Sequence, residues 1–213
     1  DAVDQALAQG KKLLYISPGT VATGHFWTDE FGAQAGKNGL SDFTGKQFVQ
    51  MLFKVAIDAL GDEKDLQVVM STGGREDALD GLTLPENFVA QDVLPQLELL
   101  PKCHGFITHG GANSMHEALS FGVPLAVVPI FGDQPANADV VQSVGAGVSF
   151  RFPKETLTVS ALKEAVRQLI HPGTFQDAAL KVQKELLSTG GVAKAADLVL
   201  AKADVLASKL GGA

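Results

Sequence analysis

The residues able to do chemistry crowd into one stretch, Phe106 to Val144: FITHGGANSMHEALSFGVPLAVVPIFGDQPANADVVQSV. His109 stands where an apolar run meets Gly110 and Gly111. Asn113, Ser114 and Glu117 follow at helical spacing, so that Glu117 shares a face with both. A second apolar run then ends at Asp133 and Gln134. Paired glycines let a backbone come close to a ligand and expose its N–H groups. A helix N-terminus directed at the same point carries partial positive charge. A diphosphate suits that place, and His109 could donate to one of its oxygens. The grouping predicts a ligand of the nucleotide type.

Each residue also has a plainer explanation. His109 could simply end a strand. Ser114-Met115-His116-Glu117 has the S-x-x-E spacing of a capping box, and by spacing alone capping is the stronger explanation. Asp133 precedes Pro135, a residue favoured at the first helical position, so Asp133 could be an N-cap and nothing more. Capping does not call for the neighbouring Gln134, and hydroxyls of a sugar would use both side chains. Met115, Ala118, Leu119 and Gly122 read as the face packed on the sheet, and His116 as exposed.

Two further strand ends point to the same edge. Gly19 and Thr20, in Ser17-Pro18-Gly19-Thr20, could offer an N–H and a hydroxyl. Ser71 opens Ser71-Thr72-Gly73-Gly74 and could line the base or phosphate side of a ligand. Either segment could equally be an ordinary turn. His25, His104 and His171 are scattered, Trp27 and Tyr15 show no stacking pattern, and Cys103 reads as a small apolar filler. The sequence has no Walker A loop, no G-x-G-x-x-G fingerprint and no Cys/His metal spacing. No Ser-His-Asp set or pair of carboxylates stands out.

The elements that must position these residues alternate along the chain. Apolar runs at 13–17, 67–71, 88–90, 105–108, 125–129 and 147–150 predict strands. Helical patterns occupy 46–60, 96–100, 113–121, 135–144, 159–170, 175–187 and 192–210. Gly24 to Gly45 is polar, Gly-rich and aperiodic, and predicts a long loop or insertion. Alternation of this kind means βαβ units with right-handed crossovers. The predicted fold is α/β: a Rossmann-like open parallel sheet of about six strands with helices on both faces. Ligands bind such sheets at the carboxyl ends of the strands.

Composition sets bounds on this reading. The 213 residues suffice for one large domain, and 46% hydrophobic with 19% charged residues is a globular composition. A formal charge of −7 argues against nucleic acid and anionic membranes as main partners. One cysteine forms no internal disulfide, which fits a reducing compartment. The first residues lack the apolar core of a signal peptide, and the longest apolar run, Val123 to Phe131, is too short to span a bilayer. A soluble, cytoplasmic protein is expected.

Phe106 to Ala138 resembles the signature region of the nucleotide-sugar-dependent family 1 glycosyltransferases of GT-B fold. The matching pieces are V-L-P-Q at Val93 to Gln96, F-I-T-H-G-G-A-N-S at Phe106 to Ser114, Glu117, G-V-P at Gly122 to Pro124, and D-Q-x-x-N-A from Asp133 to Ala138. Y-I-S-P-G-T at Tyr15 to Thr20 is similar to the family's entry to its second domain, and Pro85-Glu86-Asn87 to its L-P-E-N. The resemblance covers nearly the whole chain apart from Gly24 to Gly45. It implies that the chain is the donor-binding, C-terminal half of a GT-B enzyme. His109, Gly110, Gly111, Asn113 and Ser114 would hold the diphosphate, with Gly19, Thr20 and Ser71 alongside. Glu117 would take the ribose diol, Asp133 and Gln134 the sugar, and Val93 and Gln96 would border the uracil. Many members stack the base on a Trp where this chain has Val93, and Ala112 replaces a Trp of plant members. The Asp-Gln pair is similar to that of glucosyl-transferring members and favours UDP-glucose. The UDP-sugar would be a substrate, with no separate cofactor and no metal.

In that family the acceptor pocket and the catalytic base belong to an N-terminal domain, which nothing before Tyr15 could supply. The resemblance therefore implies an acceptor domain in cis or on a partner chain, with helices at 192–210 reaching toward it. No catalytic residue is expected in this chain, which alone would transfer sugar slowly or not at all. Two other readings stay open: a nucleotide-sugar epimerase or hydrolase of the same architecture, and a non-catalytic UDP-sugar-binding module.

Overall fold

The computed structural model describes residues 2–210. In chain order the elements are α1 (Ala2–Ala8), β1 (Lys12–Ser17), α2 (Thr20–Thr23), a 3-10 helix (Gly32–Asn38), α3 (Gly45–Leu60), β2 (Leu66–Ser71), β3 (Phe88–Gln91), α4 (Gln96–Leu99), β4 (Gly105–Thr108), α5 (Ala112–Ser120), β5 (Leu125–Val127), α6 (Gln134–Ser143), β6 (Gly147–Ser149), α7 (Pro153–Thr156), α8 (Val159–Ile170), α9 (Thr174–Ser188) and α10 (Gly191–Leu210). Further 3-10 turns follow β2 and α4.

The six strands form one parallel sheet in the order β3-β2-β1-β4-β5-β6. Such a sheet is covered on both faces, which is why β1 reads as an unbroken apolar run rather than an alternating one. Leu13, Leu14, Tyr15 and Ile16 are all buried. Leu14 and Ile16 enter one core with Phe48, Leu52 and Phe53 of α3 and Leu162, Val166 and Leu169 of α8. Leu13 and Tyr15 enter the other with Met115 and Leu119 of α5 and Val141 of α6. Each such side chain contributes roughly 1.5–3 kcal/mol on burial.

The crossover helix after β1, α3, and the one after β4, α5, thus lie on opposite faces. A crevice opens between β1 and β4 at their carboxyl ends, where the strand order reverses. The register aligns Ser17 with Thr108. Ser17-Pro18-Gly19 therefore leaves the sheet beside Thr108-His109-Gly110.

The expected fold class is the observed one, and most boundaries agree to within one or two residues. Strand β5 stops at Val127, short of the expected Pro129, which has no N–H to give a ladder. Gly24 to Gly45 is not a mere loop. Trp27, Phe31, Ala35 and Leu40 are buried in the α3-side core, and Phe31 packs edge-on against Phe48 and Phe131. Buried Asn38 donates to the Ile130 carbonyl at 2.9 Å. The segment folds through a 3-10 helix and one antiparallel bridge, Glu30 to Thr44, whose spacings have neither helical nor strand period. Helix α3 then opens with a reciprocal capping box, Gln47 N–H donating to Thr44 at 3.2 Å and Thr44 N–H to Gln47 at 2.8 Å.

Candidate functional site

A cleft of about 710 Å³ sits at the carboxyl edge of the sheet. Its walls are the turns after β1, β2 and β4, the start of α4 and the first turns of α5. Gly19, Thr20, Ser71, Val93, Gln96, His109, Gly111, Asn113, Ser114 and Glu117 all line it. Gly110, Asp133 and Gln134 do not. Among the described residues there is no cluster of His, Cys, Asp or Glu able to hold a metal ion, and no helix is long and apolar enough to cross a membrane.

The N-terminus of α5 is open to this cleft. Met115 N–H makes the first bond of the helix, to the Gly111 carbonyl at 3.0 Å. The N-cap, Gly111, has no side chain to occupy the earlier N–H groups of Ala112, Asn113 and Ser114. The capping box expected at Ser114 to Glu117 is absent, because the helix starts two residues before Ser114 and places it inside the first turn. Both side chains turn to α4 instead. The Gln96 amide donates to Glu117 Oε2 at 2.6 Å and to Ser114 Oγ at 3.4 Å. Glu117 Oε1 keeps its capacity to accept.

His109 is wedged between two glycines. A Cβ on Gly111 would stand 2.6 Å from His109 Nε2, and one on Gly19 would overlap the imidazole ring. Gly19 also has φ +85°, a conformation side chains rarely adopt. Burial pushes the His109 pKa down to about 4, outweighing the opposing pull of the Asp133 carboxylate. The ring is therefore neutral at pH 7, with one N–H to donate and one bare nitrogen. Gly110, with φ +82°, lets the chain lie against β5, since a Cβ there would overlap Val127. Below, Tyr15 stacks on Phe106 with centroids 4.6 Å apart, and burial holds its hydroxyl protonated, with a pKa of about 12.

Asp133 precedes α6 but does not cap it. It has helical φ and ψ, no backbone N–H of the first turn bonds to its side chain, and its carboxylate accepts from the Asn137 side-chain amide at 2.8 Å. Gln134 is the first helical residue and Pro135 the second, one place later than the sequence suggested. Gln134 is buried, and its Oε1 accepts from Ile130 N–H at 2.8 Å and Phe131 N–H at 3.2 Å. Only its NH2 is left to face a ligand. Asn137 also donates to the Gly110 carbonyl at 2.8 Å, tying the Asp133 turn to the His109 turn.

One lining residue that the sequence reading passed over is Arg75, just after Gly73 and Gly74. Its Nε donates to the Thr23 carbonyl, its Nη2 donates to the Gly24 carbonyl at 2.8 Å, and the guanidinium lies 5.4 Å from the Trp27 ring centroid. The rule that led to His109, a polar residue beside glycines at a strand's carboxyl end, applies equally to Arg75.

Residues 55–200 match the EryCIII-like C-terminal domain family, described as erythromycin biosynthesis protein CIII-like, C-terminal domain. The chain belongs to that family. It is a C-terminal domain of a family 1 UDP-glycosyltransferase. This glycosyltransferase domain is 38% identical over 155 residues to the uncharacterized UDP-glucosyltransferase YojK of Bacillus subtilis, covering 73% of the chain and 36% of the relative. It is 39% identical over 144 residues to the NDP-glycosyltransferase YjiC of the same organism, covering 68% of the chain and 36% of the relative. The crystal structure of the calicheamicin glycosyltransferase CalG4 superposes with a TM-score of 0.68 at 28% identity, over 90% of this domain and 42% of that chain. The domain thus spans about a third of the length of these curated relatives.

Proposed function

We propose that the cleft holds a nucleoside diphosphate sugar, with UDP-glucose as the donor, on behalf of an inverting sugar transfer to an acceptor hydroxyl. The observation that carries this reading is the neutral His109 imidazole, lodged between Gly19 and Gly111 at the uncapped start of α5. The diphosphate lies on the N–H groups of Ala112, Asn113 and Ser114 and accepts from His109. The Glu117 carboxylate, oriented by Gln96, takes the ribose hydroxyls, and Val93 borders the base. Asp133 and the free NH2 of Gln134 reach the sugar from the neighbouring turn. The UDP-sugar is a substrate, and no metal or cofactor enters the reading.

In the transfer, the acceptor oxygen attacks the anomeric carbon while the bond from that carbon to the phosphate oxygen breaks. UDP leaves with the bonding pair, and the hydroxyl proton passes to a base outside this chain. Negative charge on the diphosphate grows as the bond breaks. Donors already pointed at it, the α5 amides and His109, therefore stabilise the transition state more than the ground state. An acceptor-binding domain, in cis or on a partner chain, completes the enzyme. Helix α10 would pack toward it, which is consistent with the exposure of Val192, Leu198, Val199 and Leu200.

The test is calorimetric titration of the chain with UDP, UDP-glucose, UDP-GlcNAc and dTDP-glucose. The expected order places UDP-glucose and UDP tightest. No heat from any of the four at millimolar concentration would overturn the reading. Sugar transfer to a simple hydroxyl acceptor by the isolated chain should be slow or absent.

A further inference from the structure

The charge around the cleft is sparse. Of its lining residues, Glu117 is the one carboxylate, Tyr15 is protonated and His109 is neutral at pH 7. Arg75 is the one Lys or Arg among them. Its guanidinium is always charged. Among the described residues it has no carboxylate partner: Asp77, two positions on, bonds instead to Lys46 at 2.8 Å and to Trp27 at 3.1 Å. Two backbone carbonyls and the Trp27 ring hold the fork in one place, yet none of them neutralises it. Partly desolvating a cation without a counter-ion is costly unless an anion joins it.

The place is specific. Gly19, the residue before α2, lies against His109, and Arg75 grips the C-terminal end of α2 at Thr23 and Gly24. The guanidinium therefore lies past the C-terminal end of α2, more than one helical turn from the glycine against His109. We infer that Arg75 receives an oxyanion of the bound donor, as a second anion-binding point in the same cleft as the α5 N-terminus. This rests on the donor-binding reading and extends it: Arg75 adds a full positive charge to the neutral donors of the α5 N-terminus and His109, and donor affinity depends on ligand charge in part through it. The oxyanion is either a diphosphate oxygen or the carboxylate of a uronic-acid sugar.

The chain and its Arg75→Gln and Arg75→Lys variants are titrated with uridine, UDP, UDP-glucose and UDP-glucuronate at low and high salt. NMR shifts serve for the weak ligands. With Gln, UDP affinity should fall about tenfold, near the loss of one charge-assisted bond. Uridine affinity should stay unchanged, the salt dependence should flatten, and Lys should recover part of the loss. If UDP and UDP-glucose hold steady and UDP-glucuronate alone weakens, Arg75 reads the sugar carboxylate, which also supports the inference. It is overturned if no anionic ligand weakens, or if uridine weakens as much as UDP, since a mere loop fastener would act on all alike. Should the parent itself bind no UDP, the donor-binding reading fails first.

Discussion

Gln96 and Glu117 meet across two helices at 2.6 Å, amide to carboxylate, at one wall of the cleft. One is the first residue of α4 and the other lies in the second turn of α5. The bond fixes one carboxylate oxygen and turns the other outward. Gln96→Ala should therefore weaken UDP binding several-fold without removing any group that touches the ribose, and Glu117→Ala should weaken it about tenfold or more. Calorimetry on both variants and on the double variant checks this. Because the two act as a unit, the double variant should lose little more than Glu117→Ala alone.

His109→Ala should likewise weaken UDP binding about tenfold, with uridine unaffected. The same residue shapes the acid stability of the domain. Its folded pKa, about 4, lies below the roughly 6.5 of an unfolded His. Between those values the unfolded chain binds more protons, so stability rises with pH there and is lost as pH falls from about 6.5 toward 4, by at most about 3 kcal/mol. His104, half-buried and also shifted down by burial, acts in the same direction. The melting temperature of His109→Gln should fall less steeply than the parent's across that window. Parallel curves would mean that His109 titrates normally.

Gly111→Ala separates sterics from backbone strain. Gly111 has φ −58°, which any residue adopts, yet a Cβ there meets His109 Nε2 at 2.6 Å. The variant should lose about 1–3 kcal/mol of stability through overpacking and misplace the imidazole. Combining it with His109→Ala should restore most of that stability, measured by urea denaturation. A double variant no more stable than Gly111→Ala would place the clash elsewhere.

Phe31→Ala tests whether Gly24 to Gly45 belongs to the core. Phe31 is 2% exposed and touches Phe26, Phe48 and Phe131. Its truncation should cost about 3–5 kcal/mol. A loss below about 1 kcal/mol would mark the segment as a detachable insertion.

How far the sequence could be read depended on what each feature needs. The parallel sheet was legible because the strands are short, mainly apolar runs, Leu13 to Ile16 in β1 and Val68 to Met70 in β2 among them, separated by helical patterns. The grouping of His109, Asn113, Ser114 and Glu117 was legible because one strand end and one helix turn place them. The segment Gly24 to Gly45 was not, since its burial rests on contacts such as Phe31 with Phe131, a hundred positions apart. Spacing favoured a capping box at Ser114 that the structure does not form and left a cap at Asp133 open, because spacing is blind to where a helix begins.

By itself, then, the sequence determined that His109, Asn113, Ser114 and Glu117 reach the carboxyl edge of the sheet, since strand and helix periods are local properties. Only the tertiary structure decided what each does there. It gave Glu117 to Gln96 rather than to a cap, closed Gly19 and Gly111 around a neutral His109, and brought Arg75 to the mouth beside Thr23. The physical reason is that a hydrogen-bond partner, a steric neighbour and a missing counter-ion belong to distances between segments far apart in the chain, and no spacing along it encodes them.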